Sequence, residues 1–156
     1  MRRQEKEITD RNIIDSIIRK SLVCRIALYD GAMPYLVPLS FGYDGTSIYL
    51  HSATEGRKID ILKTHPQVCF EFEADCEVIP AERACSFTMR YRSVIGYGSA
   101  HFLENSEEKL GAIRIILNQY TDKIFTMTKQ DMVNIAVVRV DIEQITGKQS
   151  RFNRDV

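Results

Sequence analysis

The chain has 156 residues, 44% apolar and 27% charged, which suits one globular domain with a single core. Lys+Arg and Asp+Glu both number 21, so no basic surplus exists to neutralise a nucleic-acid backbone, and nucleic acid is not the expected partner. No run approaches the roughly 20 apolar residues of a membrane span, and the charged opening MRRQEKEITDR leads into no signal-type apolar stretch, so a cytoplasmic protein without a membrane partner is expected.

TDRNIIDSIIRKS places Ile13, Ile14, Ile17 and Ile18 on one face at helical spacing, which predicts a helix over 9–20 behind a Thr9 or Asp10 cap. LVCRIALY, PYLVPLSFGY and SIYLHSA follow as three strand-like runs separated by DGAM and DGT. Asp30-Gly31 and Asp44-Gly45 are hairpin signals, so this stretch reads as an antiparallel meander. YLHSATEGRKIDILKTHP ends a strand, breaks at Thr54-Glu55-Gly56 and continues at the spacing of a short helix. QVCFEFEADCEVI alternates Val68, Phe70 and Phe72 with Cys69, Glu71 and Glu73, a strand with one wet face.

SFTMRYRSVIGYGSAHFL reads as a long strand in which Gly96 and Gly98 share a face, which predicts a bend or a close approach to the backbone. NSEEKLGAIRIILNQY carries an Asn105 or Ser106 cap and Leu110, Ile113 and Leu117 near helical spacing. VNIAVVRVDIEQITGKQS supplies a last strand, followed by a polar tail over 149–156 that is loose or docked on a neighbour. The four cysteines form no CxxC pair, so no metal site is expected and they read as reduced core thiols. Six strands with few helices predict a mainly β single domain over 1–156, a small closed or nearly closed barrel, with an open two-layer α+β sheet as the alternative.

The chemistry concentrates at Arg57-Lys58. Two cations in the first turn of a helix oppose the helix dipole, yet the free N–H groups there favour an anion. A phosphate resolves the conflict: Arg offers a planar fork and Lys a mobile point charge. A solvated pair beside Glu55 and Asp60 is an equally weighted reading of the spacing. His51-Ser52 ends the preceding strand on the way to that phosphate, although a structural role for His51 outranks a catalytic one. His65 and His101 read as capping or surface residues.

The order VPLSFGYDGTSIYLHSATEGRKIDILKTHPQVCFEFE and then YRSVIGYGSAHFL resembles the FMN-binding split-barrel superfamily typified by pyridoxamine 5′-phosphate oxidase, and within it the nitroimidazole-resistance (NimA-type) branch. The likeness covers about residues 8 to 148. It implies a six-stranded antiparallel split β-barrel of Greek-key type with flanking helices, and FMN at the interface of a homodimer. By that resemblance Pro38, Leu39, Ser40 and Phe41 lie along the flavin ring and ribityl chain, with main-chain groups on the ring's polar edge. His51, Ser52 and Ala53 line the phosphate path, Arg57 and Lys58 hold the phosphate, and Arg92, Ser93 and Val94 approach from the partner subunit. The chain has no Trp and ends RFNRDV, unlike the oxidases proper, which argues against vitamin B6 oxidation. The expected function is an FMN-dependent oxidoreductase passing electrons from NADH or NADPH to a small-molecule substrate such as a nitroaromatic, with His51 a candidate for orienting it. A flavin- or haem-binding protein without turnover, with His51 or His101 as haem ligand, is the alternative.

Overall fold

The structure, a computed structural model, describes residues 3–152. The chain runs β1 (Glu7–Ile8), α1 (Arg11–Lys20), β2 (Cys24–Tyr29), β3 (Pro34–Leu39), β4 (Gly42–Tyr43), β5 (Ser47–Ser52), α2 (Arg57–Thr64), β6 (Gln67–Ile79), β7 (Thr88–Phe102), α3 (Ser106–Asn118) and β8 (Ala136–Ser150). Asp10 is the cap of α1, its carboxylate accepting the Asn12 N–H, and Asn105 caps α3 through the Glu107 N–H at 2.8 Å. Ile14, Ile17 and Ile18 of α1 are buried against the sheet, as their spacing requires.

All eight strands form one antiparallel sheet in the order β3-β2-β6-β7-β8-β5-β4, with β1 added to β8. The edge strands β3 and β4 are nevertheless joined by only Ser40 and Phe41. Three Cα steps span at most about 11 Å, so the sheet must curl until its two edges almost meet. That is the split barrel, with Phe41, Phe70, Phe72 and Val94 fully buried inside it.

Two expectations are corrected. The run from Pro34 to Tyr43 is two strands rather than one, because the chain turns at Ser40 and drives Phe41 into the core, its ring 4.7 Å from that of Phe72. The six long strands are therefore joined by two two-residue strands, β1 and β4. The meander also fails: β2–β3 and β4–β5 are hairpins at Asp30-Gly31 and Asp44-Gly45, but β5 pairs with β8 at the other end of the sheet.

Gly96 and Gly98 behave as their spacing predicts. A Cβ at Gly96 would meet the Phe70 ring at 2.2 Å, one at Gly98 would meet the Asp141 carbonyl oxygen at 2.2 Å, and the β7–β8 register slips between Tyr97 and Gly98. Of the cysteines only Cys24 is a buried core thiol; Cys69 is partly covered, and Cys76 and Cys85 are exposed because the far end of the β6–β7 hairpin projects beyond the neighbouring strands. Gln149 and Ser150, expected in the tail, continue β8 opposite Arg92 and Tyr91, and the last four tail residues lie outside the described ones.

Candidate functional site

β5 delivers the chain to α2 through Gly56, whose φ of 119° only glycine adopts without strain. No side chain caps the helix; the N–H groups of Ile59 and Asp60 both bond the Gly56 carbonyl. The backbone N–H groups of Arg57 and Lys58 have no acceptor among the described residues. Ile59, Ile61 and Leu62 are buried and fix the helix on the barrel, so these free donors are held in place.

The two cations differ. Arg57 donates to the Asp30 carboxylate at 3.1 Å and lies 4.5 Å from the Tyr35 ring centroid, which docks the start of α2 on the β2–β3 hairpin. Lys58 is half-buried and makes no ion pair or hydrogen bond among the described residues, and burial lowers its pKa from the usual lysine value. Glu55 and Asp60 are exposed and pair with neither cation among the described residues, while Arg57 is itself solvent-exposed. A half-buried cation with no partner among the described residues, at the positive end of a helix, is a position where an anion would be favoured.

Asp30 and Tyr35 are site residues the sequence did not single out. Asp30 was legible as a turn former, and it is one: its Oδ1 accepts the N–H groups of Met33 and Ala32 at 2.7 and 3.0 Å. Those bonds, Met33 first and then Ala32, with Arg57 adding to them, hold the carboxyl at about 2, below its ordinary 3.8. A lowered folded-state pKa contributes stability above the ordinary value and loses it as pH falls through the lowered one. The stability difference between wild type and Asp30→Asn is therefore expected to be constant above about pH 5, to shrink below pH 4 and to vanish near pH 2, read from denaturant melts at each pH. A pH-independent difference would show that the carboxylate charge is not what stabilises the turn.

The remaining candidates are distributed along the same side and beyond it. His51 is exposed on the outer face of β5 opposite Val137, Ser52 is half-buried on the alternate face, and Ala53 begins the loop to Gly56. Pro38 is exposed opposite Arg25, Leu39 packs on the core opposite Cys24, and Ser40 is exposed at the corner. The Phe41 ring belongs to the core, and its N–H donates to the Tyr120 hydroxyl at 2.8 Å. In β7, Val94 is wholly buried and Ser93 is half-buried opposite Glu73 and Lys148. Arg92 bonds Asp75 at 3.5 Å. No hydrogen bond or ion pair links Arg92, Ser93 or Val94 to Arg57 or Lys58 among the described residues.

The outer face of the sheet carries a second notable surface. Leu36, Ala27, Cys69 and Tyr97 follow one another across β3, β2, β6 and β7, and the next row is Pro38, Arg25, Glu71 and Ile95. Leu36 is 60% exposed, Tyr97 53% and Ile95 45%, while Arg25 spends its charge on Glu71 and Glu73 at 3.1 and 2.8 Å. This is an apolar patch whose central Arg25 is shared by two carboxylates.

Residues 10–149 match the family model described as pyridoxamine 5′-phosphate oxidase. Among solved structures, the chain is similar to a candidate 5-nitroimidazole antibiotic resistance protein from Bacteroides thetaiotaomicron, with 35% identity, a TM-score of 0.83 and coverage of 92% of this chain and 86% of that one. The fold is shared with an FAD and haem binding protein from Mycobacterium smegmatis, at 19% identity and a TM-score of 0.84 over 97% of this chain and 76% of that one. It is shared too with an FAD-binding protein from Mesorhizobium loti, at 20% identity and a TM-score of 0.68 over 93% and 97%. A search of the curated proteins found no match. No helix among the described residues is long and apolar enough to cross a membrane.

Proposed function

Because the chain belongs to the pyridoxamine 5′-phosphate oxidase family, we propose that it is a flavin-dependent oxidoreductase that holds the phosphate of FMN at the start of α2. The observation that carries this reading is Lys58, half-buried and, among the described residues, unpaired beside two backbone N–H groups without acceptors. Lys58 supplies the charge, the Arg57 and Lys58 N–H groups supply directed bonds, and Arg57, held by Asp30, closes the side of the site. Main-chain groups of Pro38, Leu39 and Ser40 edge the ring, and His51, Ser52 and Ala53 border the path to the phosphate. When bound, the flavin supplies hydride acceptance from a nicotinamide and onward transfer to a small acceptor such as a nitroaromatic.

The site is completed by a second copy. The apolar patch of Leu36, Ile95 and Tyr97 offers a self-complementary face for a two-fold dimer, and it runs along β7 to Ser93, bringing this segment of each chain toward the other. Ile95→Asp is expected to halve the mass found by light scattering and to release flavin with it. A wild-type monomer that keeps stoichiometric flavin would refute the composite site.

The test of the cofactor is the visible spectrum of the purified protein with its released pigment identified by mass. Two flavin bands and FMN are expected, followed by NADH- or NADPH-driven reduction of nitro compounds or quinones. A Soret band would instead favour the haem reading, and a colourless protein indifferent to added FMN would remove both.

A further inference from the structure

Among the described residues two non-glycine positions take a positive φ, Asp75 at 56° and Arg151 at 63°. Asp75 lies in the bulge where β6 slips against β7 between Ala74 and Glu77, and Arg151 follows β8 and turns Phe152 back over the sheet. Backbone strain of this kind persists where the surroundings impose it and gathers at ligand sites. An open surface groove of about 540 Å³ is lined by Asp75 and by Phe152, the residue after Arg151, together with Lys20, Cys76, Glu77, Arg90 and Arg92.

Among the described residues the charges that line this groove do not balance. Lys20 and Arg92 share Asp75, each at 3.5 Å, and Arg90 pairs with Glu77, leaving three cations against two carboxylates. The Phe152 ring lies 4.0 Å from the Arg92 guanidinium carbon and 5.3 Å from that of Arg90. The Nε atoms of both arginines are buried with no hydrogen-bond partner among the described residues. An aromatic face satisfies a cation's charge but not its directed N–H groups, so the ring covers the pair without replacing an acceptor.

We propose that Arg90 and Arg92 form a site for a small oxyanion, a carboxylate or a phosphate group, with Phe152 as its displaceable cover. The unbalanced charge attracts the ligand, the two orphaned Nε–H groups direct it, and the strained turn at Arg151 eases the ring's departure. Within one chain this site shares no residue with the phosphate anchor at α2, although Arg92 is also the residue that the resemblance sets toward the partner subunit's flavin.

The test is a titration of the full-length protein with inorganic phosphate and separately with benzoate, following the arginine Nε–H resonances by NMR. At least one probe is expected to shift the Arg90 and Arg92 signals saturably, with Phe152→Ala tightening the response about tenfold. Phe152→Leu, which keeps apolar cover without a π face, should fall between the two. A response to phosphate alone identifies a phosphorylated ligand, and to benzoate alone a carboxylate. Arg92→Lys, which keeps the charge and removes the fork, should lose the response, whereas Lys58→Ala should keep it. Silence of both probes in wild type and Phe152→Ala, or persistence in Arg92→Lys, overturns the proposal; loss in Lys58→Ala assigns the signal to the α2 site and overturns it equally.

Discussion

Lys58→Ala is expected to weaken flavin binding by about 10- to 100-fold while leaving the flavin-free protein as stable as wild type or slightly more so. The affinity figure follows from the ~1.5–3 kcal/mol of a hydrogen bond to a charged group. The stability expectation follows from the same geometry: in the free protein the ammonium is partly desolvated, gains nothing from a partner and faces the positive end of α2. An ordinary structural lysine would show the reverse pattern, with lost stability and unchanged affinity. Arg57→Ala should do less to affinity and more to stability, because Arg57 is bonded to Asp30 and stacked on Tyr35. The double variant is expected to emerge from purification without flavin. Fluorescence-quenching titrations and thermal melts of the stripped proteins give both quantities, and a Lys58→Ala protein with undiminished flavin affinity would eliminate the phosphate anchor.

Phe41→Ala is expected to cost about 3–5 kcal/mol of stability, lowering the melting temperature by roughly 6–20 °C for a domain of this size. The ring is wholly buried and packs on Phe72 at 4.7 Å, at the one place where the sheet's two edges are tied together. Its loss leaves a cavity where the barrel closes, and collapse of the surroundings is limited because Tyr120 pins the same backbone, accepting the Phe41 N–H and donating to the Leu22 carbonyl at 3.0 Å. The resemblance set Phe41 beside the flavin; its side chain acts in the core, so the variant's flavin affinity should follow the folded fraction rather than fall on its own. A melting temperature within 2 °C of wild type would contradict this account.

These residues show how far the amino-acid sequence could be read. The long strands and three helices were legible because β6 alternates with period two and α1 repeats its isoleucines at helical spacing. The Ser40–Phe41 corner was not, since Leu39, Ser40 and Phe41 contain no Gly, Pro or Asn to mark a turn. The separation of β3 from β5 was hidden for a related reason: strand order depends on pairings such as Ser47 with Asp141, distant in the chain. At the site, Arg57-Lys58 could be noticed because two cations contradict a helix dipole. Which of them is spent on Asp30 could not, because that partner lies 27 positions away and meets Arg57 only in the folded barrel.

The split that defines the barrel leaves β3 as a free edge, and a bare strand edge is a template on which foreign chains can stack. Pro34 and Pro38 interrupt that template twice in six residues. A proline is accommodated in a strand where its nitrogen faces away from the ladder, so the outward side of β3 lacks donors at both positions while its bonds to β2 persist. The barrel can thus stay open without inviting uncontrolled strand addition, and its tendency to form fibrous aggregates is restrained by two residues that otherwise look like faults in a strand.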